Sequence, residues 1–313
     1  MELLVLGGTV FLGRHVANAA LARGHEVTIY SRGLHGSPHP EAEHIKGDRA
    51  DVAPLRGRHW DAVIDTSGYE PDQVEASAGL DVDHYVFVST CNVYPGWPDH
   101  PVDEDSPVHQ SGEGYGEGKA ESERRAEKVL DGRFATVRAG LIVGPHDNIF
   151  RLPWWVRRIM EGGRVPAPGD PERPVQLIDA RDLATFLLDL AEQRTAGAFN
   201  GTGPIGQTTM REVLEAAGDA ELVWIPDEKL EEAGVEPWTE LPLWLPARHE
   251  GTFAIDTTRA RAAGLTTRPV PETVRDVRTW LQSGGERELG DWRDEHRPPR
   301  MSPEREEALF RLL

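Results

Sequence analysis

The sequence predicts an α/β protein, a Rossmann-like doubly wound parallel sheet with a smaller C-terminal substrate lobe. Three observations carry this expectation. The chain opens on an apolar run, a glycine-rich turn and a helical pattern, "LLVLGGTVFLGRHVANAALA". Compact apolar runs bounded by turn residues then alternate with helical patterns through the first two-thirds of the chain. Beyond Gly140 the texture shifts to segments rich in Gly, Pro and Trp, such as "GGRVPAPGDPERP" and "EPWTELPLWLP". Strands that alternate with helices imply right-handed crossovers and a parallel sheet covered on both faces.

Taken in order, "LLVLGG" (3–8) reads as a buried strand and 12–23 as a helix with Leu12, Val16, Ala19, Ala20 and Leu21 on its inner side. "EVTIYS" (26–31) is the next strand, followed by polar loops up to "HIKGD". "DAVIDTS" (61–67), "HYVFVST" (84–90) and "FATVRAG" (134–140) are further strands. Residues 119–130, "KAESERRAEKVL", form a helix that offers Ala120, Ala126, Val129 and Leu130 for packing. In the second part, helices are expected near 181–193, 208–217 and 271–282, and "VQLIDARDLATFLLDLA" (175–191) reads as a strand and helix returning to the main sheet. Near the end, Ser302 is suited to cap a helix that starts at Pro303, either docked or part of a fluctuating tail. The expected organisation is a dinucleotide-binding domain at 1–145 with 175–198 returning to it, a substrate lobe at 146–174 and 199–295, and a C-terminal helix or tail at 296–313.

The 313 residues include 53 acidic and 34 basic side chains, a formal net charge of −19. Such a field repels phosphate backbones and anionic lipid, so neither nucleic acid nor membrane is an expected partner. The stretch "RLPWWVRR" (Arg151 to Arg158) is the best candidate for a local basic patch, although such a run is more often a solvated helix face. A single cysteine, Cys91, excludes an internal disulfide framework and suits a reducing cytosol. Met1 leads straight into "ELLVLGG" with no basic stretch and no long apolar segment, so the expected location is cytoplasmic. Histidines 35, 39 and 44 lack the spacing of a metal site, and no metal is expected.

Chemistry enters with two constellations. In "GGTVFLG", Gly7, Gly8, Thr9, Phe11, Leu12 and Gly13 make a strand-to-helix turn that can present backbone N–H groups to a pyrophosphate, although Val10 stands where a glycine is expected. Alone, the turn serves equally as a structural strand end. The second strand closes on Ser31 and Arg32 without a carboxylate, which favours the 2′-phosphate of NADP over NAD, with NAD still open. In "GDRAD", Asp48 and Arg49 stand at the adenosine end, where Asp48 either holds the adenine amino group or closes an ordinary turn. The second constellation joins Ser89 and Thr90, at the end of a buried strand, to Tyr115 and Lys119 in "YGEGK". A spacing of i, i+4 puts phenol and ammonium on one helix face, and the ammonium is expected to lower the phenol's pKa. Tyr115 can then exchange a proton with a substrate oxygen that Thr90 also holds, while hydride moves to or from a nicotinamide.

With these motifs the sequence resembles the extended short-chain dehydrogenases/reductases of the NAD-dependent epimerase/dehydratase group, in the atypical subgroup reading "GGTxFxG". The resemblance runs through "GDRAD", "VIDTSGY", "VFVSTCNVYP", "YGEGKAESE", "VRAGLIVGP" and "VQLIDARDLA" to about residue 204, and more loosely to 280. It implies a Thr90–Tyr115–Lys119 triad, a cofactor site lined by Thr66, Ser67 and Gly68, and a nicotinamide flanked by Ala139 and Leu141. It also implies a homodimer paired through the helix after the catalytic tyrosine. Two departures narrow the activity. Cys91 and Asn92 stand where the family's dehydratases carry Asp-Glu, and "RAGLIVGP" lacks the asparagine usual in nucleotide-sugar epimerases. Trp154, Trp155, Trp224, Trp238 and Trp244 either wall a substrate pocket or pack the lobe, and Cys91, Asn92, His146 and Trp154 are the candidate substrate contacts. The reading is an NAD(P)-dependent oxidoreductase, either a carbonyl reductase/alcohol dehydrogenase or an epimerase. Its substrate would be a small hydroxylated or keto metabolite, sugar-like or secondary. The alternative is a non-catalytic NAD(P)-binding scaffold or RNA-associated protein of the same fold.

Overall fold

The structure is a computed structural model that describes residues 1–96, 101–289 and 300–311. Its centre is a parallel seven-stranded sheet of β1 (Glu2–Leu6), β2 (Glu26–Ser31), β3 (Glu43–Lys46), β4 (Trp60–Asp65), β5 (Val82–Thr90), β6 (Phe134–Ala139) and β10 (Gly197–Gly201). The strands lie in the order β10-β6-β5-β4-β1-β2-β3, so the winding direction reverses between β1 and β4. In such sheets that reversal opens a crevice at the strands' carboxyl ends.

Period-2 alternation decides which side chains cover which face. Leu3 and Val5 of β1, Ile64 of β4 and Val86 of β5 pack on one face with α1 (Phe11–Ala22) and α5 (Ala180–Gln193). Leu4, Leu6, Val63, Tyr85 and Phe87 pack on the other face, against α2 (Pro71–Ala78) and α3 (Tyr115–Leu130). Both faces are dry, so these strands read as continuous apolar runs.

The remaining elements build a lobe over the carboxyl ends. β7 (Leu141–Val143) pairs with β9 (Leu177–Asp179), and β8 (Arg164–Pro168) pairs with β11 (Glu221–Ile225), each pair parallel. Around them lie α4 (Arg151–Met160), α6 (Met210–Glu215), α7 (Asp227–Glu232), α8 (Thr258–Ala262), α9 (Val270–Gln282) and α10 (Pro303–Phe310). Trp155, Val156, Val213, Leu230, Trp244 and Val277 contribute to a separate lobe core.

The structure departs from the sequence reading at several points. The strand in "VQLID" does not return to the main sheet but pairs with β7, and only its following helix, α5, lies against the sheet. The seventh strand is β10, "GAFNG", which runs past residue 198. Its glycines and asparagine give no strand signal, and the backbone of β6 supplies the pairing. α3 begins at Tyr115, four residues before the helical pattern becomes obvious, with Gly114 at its cap. Ala120, Ala126 and Leu130 of that helix face the chain's own core, while Val129 stays 38% exposed. These apolar positions of the helix are therefore largely occupied within the chain. Prolines hide β8 from pattern reading. Arg157 and Arg158 of α4 are paired with Glu286 and Glu306, so that helix face is not a plain solvated one. Ser302 accepts a hydrogen bond from the Arg305 N–H at 3.2 Å and α10 buries Glu306 and Leu309, a docked helix. The expected boundary at 295/296 lies outside the described residues.

Candidate active site

The carboxyl ends of β1, β2, β4, β5 and β6 open into a cavity of about 1230 Å³ roofed by the lobe. At its start Gly7 (φ 106°) and Gly8 (φ 89°) take left-handed conformations that side-chain-bearing residues avoid. A Cβ at Gly13 would lie 2.5 Å from the Gly8 nitrogen, so only glycine lets α1 approach the strand end this closely. Val10 is extended (φ −127°, ψ 143°), which any L-residue adopts, and the missing middle glycine is no backbone defect. No side chain caps α1 and its first turn holds no acid, so its N-terminal end is open to an anion. The loop after β2 lies directly on this turn: a Cβ at Gly36 would stand 2.0 Å from the Thr9 carbonyl oxygen. Thr9, Phe11 and Leu12 line the same cavity.

At the adenosine end, Ser31 shares a hydrogen bond with His44 Nε2 at 2.9 Å. Arg32 lines the cavity and its guanidinium has no partner among the described residues. Asp48 is exposed at the rim and takes the Ala50 N–H at 2.9 Å, so it does close a turn while still facing the cavity. Arg49 is a correction. It borders the cavity, but its guanidinium is committed to Asp65, Ser77 and Tyr85, with Nε and Nη1 buried and unpartnered. A buried Asp65 carboxylate demands a counter-charge, and Arg49 supplies it. Thr66 and Ser67 line the cavity, whereas Gly68 does not. A Cβ at Gly68 would strike Val74, Asp65 and Phe87 within 2.8 Å, so it is a packing glycine.

Thr90 ends β5, and its hydroxyl accepts the Asn92 N–H at 3.2 Å and favours the ionised form of the nearby Tyr115 hydroxyl. Tyr115 opens α3 with its ring half exposed to the cavity. Lys119 lies beneath, buried, with Nζ donating to the Val88 carbonyl at 2.9 Å and standing 6.0 Å from the Tyr115 ring centre. The sequence expectation that Lys119 lowers the Tyr115 pKa is not met. Burial of the hydroxyl and the nearby Tyr69 push it up to about 12, against smaller downward pulls from Thr90 and Arg151. Helical spacing shares a face, but this ammonium turns inward to a carbonyl and not toward the phenol. Burial also lowers Lys119 itself, to about 8.

The other candidates separate. Ala139, Leu141, Cys91 and Asn92 border the cavity. The Cys91 thiol donates to the Arg138 carbonyl at 3.2 Å, and burial pushes its pKa up to about 12, so it offers no thiolate. His146 and Trp154 do not line the cavity. His146 packs between His15 and Trp280 at 5.8 and 5.4 Å, and Trp154 packs edge-on against Trp155 at 4.6 Å. Of the tryptophans, Trp238 reaches the cavity, while Trp155 and Trp244 anchor the lobe through Pro242 and Asp227. Sequence reasoning missed Tyr69, Asn148, Arg151, Gln176, Thr239 and His249, all cavity residues. Of these only Arg151 lay in a segment singled out by its charge.

A model described as the NAD dependent epimerase/dehydratase family matches residues 3–75 and 68–206. Among curated relatives, the chloroplast stem-loop binding protein of 41 kDa b of Arabidopsis thaliana is 27% identical over 224 residues, 64% of this chain and 58% of that protein. Photosystem II assembly factor Ycf39 of Trieres chinensis is 34% identical over 113 residues, 30% of this chain and 35% of that protein. The chain thus spans less than two thirds of either relative's length. Among solved structures, the Bordetella bronchiseptica enzyme WbmH in complex with NAD+ superposes with a TM-score of 0.68 at 20% identity, covering 91% of this chain and 99% of that one. dTDP-glucose 4,6-dehydratase from Bacillus anthracis in complex with NAD gives 0.68 at 15% identity, covering 91% and 98%. At these identities the likeness is one of fold.

Proposed function

The chain belongs to the NAD dependent epimerase/dehydratase family, and from that premise we propose that it is an NADP-dependent oxidoreductase acting on a small hydroxylated or keto metabolite. Thr90, Tyr115 and Lys119 would carry the chemistry. The observation that carries the reading is that Thr90, Tyr115 and the buried Lys119 meet in the same cavity as the open end of α1. The glycine turn, the uncapped helix end and the unpaired Arg32 fit a dinucleotide with a 2′-phosphate. When bound, such a cofactor supplies the acceptor or donor of hydride.

The chain's own residues do the rest. The Tyr115 hydroxyl, its pKa raised by burial, can donate its proton to a carbonyl oxygen in reduction and recover it in the reverse direction. Thr90 can hold that oxygen from the side, and its rigid place at a strand end fixes the distance. Lys119, poised near 8, keeps a positive charge below the site at neutral pH. Cys91 and Asn92 offer no acid or base for water elimination, which argues against a dehydratase. An epimerase would use the same residues and stays a rival within this class. A cytoplasmic setting remains part of the proposal, resting on the free buried Cys91.

A second reading, a non-catalytic scaffold or RNA-associated protein, draws on the names of the two curated relatives. The complete triad and the net charge of −19 oppose it. The test is a screen of small ketones and aldehydes for loss of NADPH absorbance, followed by Tyr115→Phe on any hit. Turnover is expected to fall about 10²–10⁴-fold while calorimetry shows NADPH binding retained. Reduction at the wild-type rate would remove Tyr115 from the chemistry and bring the scaffold reading forward.

A further inference from the structure

The arginines lining the cavity divide into two kinds. Arg49 is held by Asp65, and Arg300 donates to the carbonyls of Trp238, Thr239 and Ile149 at 3.2, 2.8 and 2.8 Å. Arg32 and Arg151 have guanidinium groups with no hydrogen-bond or ion-pair partner among the described residues. Arg32 stands at the adenosine end. Arg151 opens α4 in the lobe and lines the same cavity as Tyr115 and Thr90.

The surroundings of Arg151 are built and not incidental. It opens α4, and the buried Asp147 accepts the N–H groups of Ile149, Phe150 and Arg151 at 3.0, 3.1 and 3.0 Å. The helix end is thereby satisfied, and the turn that carries Arg151 is fixed. Asn148 in that turn is 8% exposed, lines the cavity, and its side-chain amide bonds to nothing among the described residues. Farther along α4, Arg157 and Arg158 have each found an acid, in a chain where acids greatly outnumber bases. An amide and a guanidinium that face the cavity and hydrogen-bond to nothing among the described residues are donors available to an acceptor.

We propose that Arg151 and Asn148 hold an anionic group of the substrate, a carboxylate or a phosphate, so that the metabolite turned over is an acid or phosphate ester bearing its carbonyl or hydroxyl close to that anion. This rests on the oxidoreductase reading and names its substrate class. The guanidinium fork binds two oxygens of the anion, and the Asn148 amide donates to it. An anion docked there sits on the same side of the cavity as Tyr115, which sets the reacting oxygen against Thr90.

The test compares matched carbonyl probes with NADPH: dihydroxyacetone phosphate against dihydroxyacetone, and a 2-keto acid against its amide. The wild type is expected to prefer one charged member by at least tenfold in kcat/KM, and which pair discriminates reports phosphate or carboxylate. Arg151→Ala should erase at least tenfold of that preference, mostly through KM, and Arg151→Lys should restore part of it. No preference in the wild type, or equal losses for charged and neutral probes, overturns the inference while leaving the oxidoreductase reading intact. A readout independent of turnover uses an Arg32→Ala background, which removes the other unpaired guanidinium. Inorganic phosphate and oxalate should raise the melting temperature there, and Arg151→Ala should cut the rise at least twofold, the remainder belonging to the uncapped end of α1; an unchanged rise overturns the inference. If no probe is reduced, this titration alone decides whether the anion site exists.

Discussion

The two walls of the cavity are held by different forces. On the sheet side, β1, β4 and β5 are apolar on both faces and paired along their whole length, so Gly7, Thr66 and Thr90 emerge where the register puts them. On the lobe side, Arg173 clamps Asp227, which also takes the Trp244 and Ala247 N–H groups. Arg158 clamps Glu306, and Arg300 ties Ile149 to Trp238 and Thr239 across the roof. A ladder shares load over many bonds, whereas a pinned wall depends on a few charged side chains. The groups proposed for proton transfer stand on the ladder, where positions are fixed. Those proposed for substrate recognition stand on the pins, where one substitution can reshape the roof.

The largest expected effect tests the pins. Asp227→Ala leaves the largely covered Arg173 with only the Leu245 carbonyl and should cost about 3 kcal/mol in urea unfolding. Preference among substrates should be lost before NADPH binding is. A cost below about 1 kcal/mol would mean that the lobe is not held this way. Next comes the adenosine end, on the ladder wall. Arg32→Ala should remove about 1–3 kcal/mol of preference for NADPH over NADH in low-salt titrations, and equal affinities in the wild type would return Arg32 to the surface. The smallest effect concerns Lys119, whose folded pKa of about 8 lies below its ordinary 10.5. The unfolded chain therefore binds more protons between those values, so this group's contribution to stability rises with pH there and is unfavourable below 8. Lys119→Met should remove that penalty, offset in part by the lost bond to Val88, for a net gain of about 1 kcal/mol at pH 7. It should also flatten the rise between pH 8 and 10.5. A loss of stability at pH 7 would show that the ammonium is a structural tie.

What the sequence made legible follows the same division. Two-sided apolar runs revealed β1, β2, β4, β5 and β6, and strand-end hydroxyls with a Y-x-x-x-K spacing located Thr90, Tyr115 and Lys119. Spacing on a helix could not tell that Lys119 turns to Val88, because that choice depends on which carbonyl lies beneath. Gly68 carried the same ambiguity, since close packing and cofactor contact both select glycine. In the lobe, the left-handed backbone at His146 and Phe150 sets where Asn148 and Arg151 point, and neither residue type announces that conformation. Hence His146 and Trp154 were expected in the cavity, and their neighbours Asn148 and Arg151 took those places.

The contact of Gly36 with Thr9 means that the phosphate turn and the adenosine-reading loop, two separate words in the chain, are one interlocked part. As a unit of inheritance, residues 7–13 and 32–36 form a single module. Grafting a new specificity loop after β2 would have to bring a matching turn after β1 with it, or a side chain at 36 would pry the two apart.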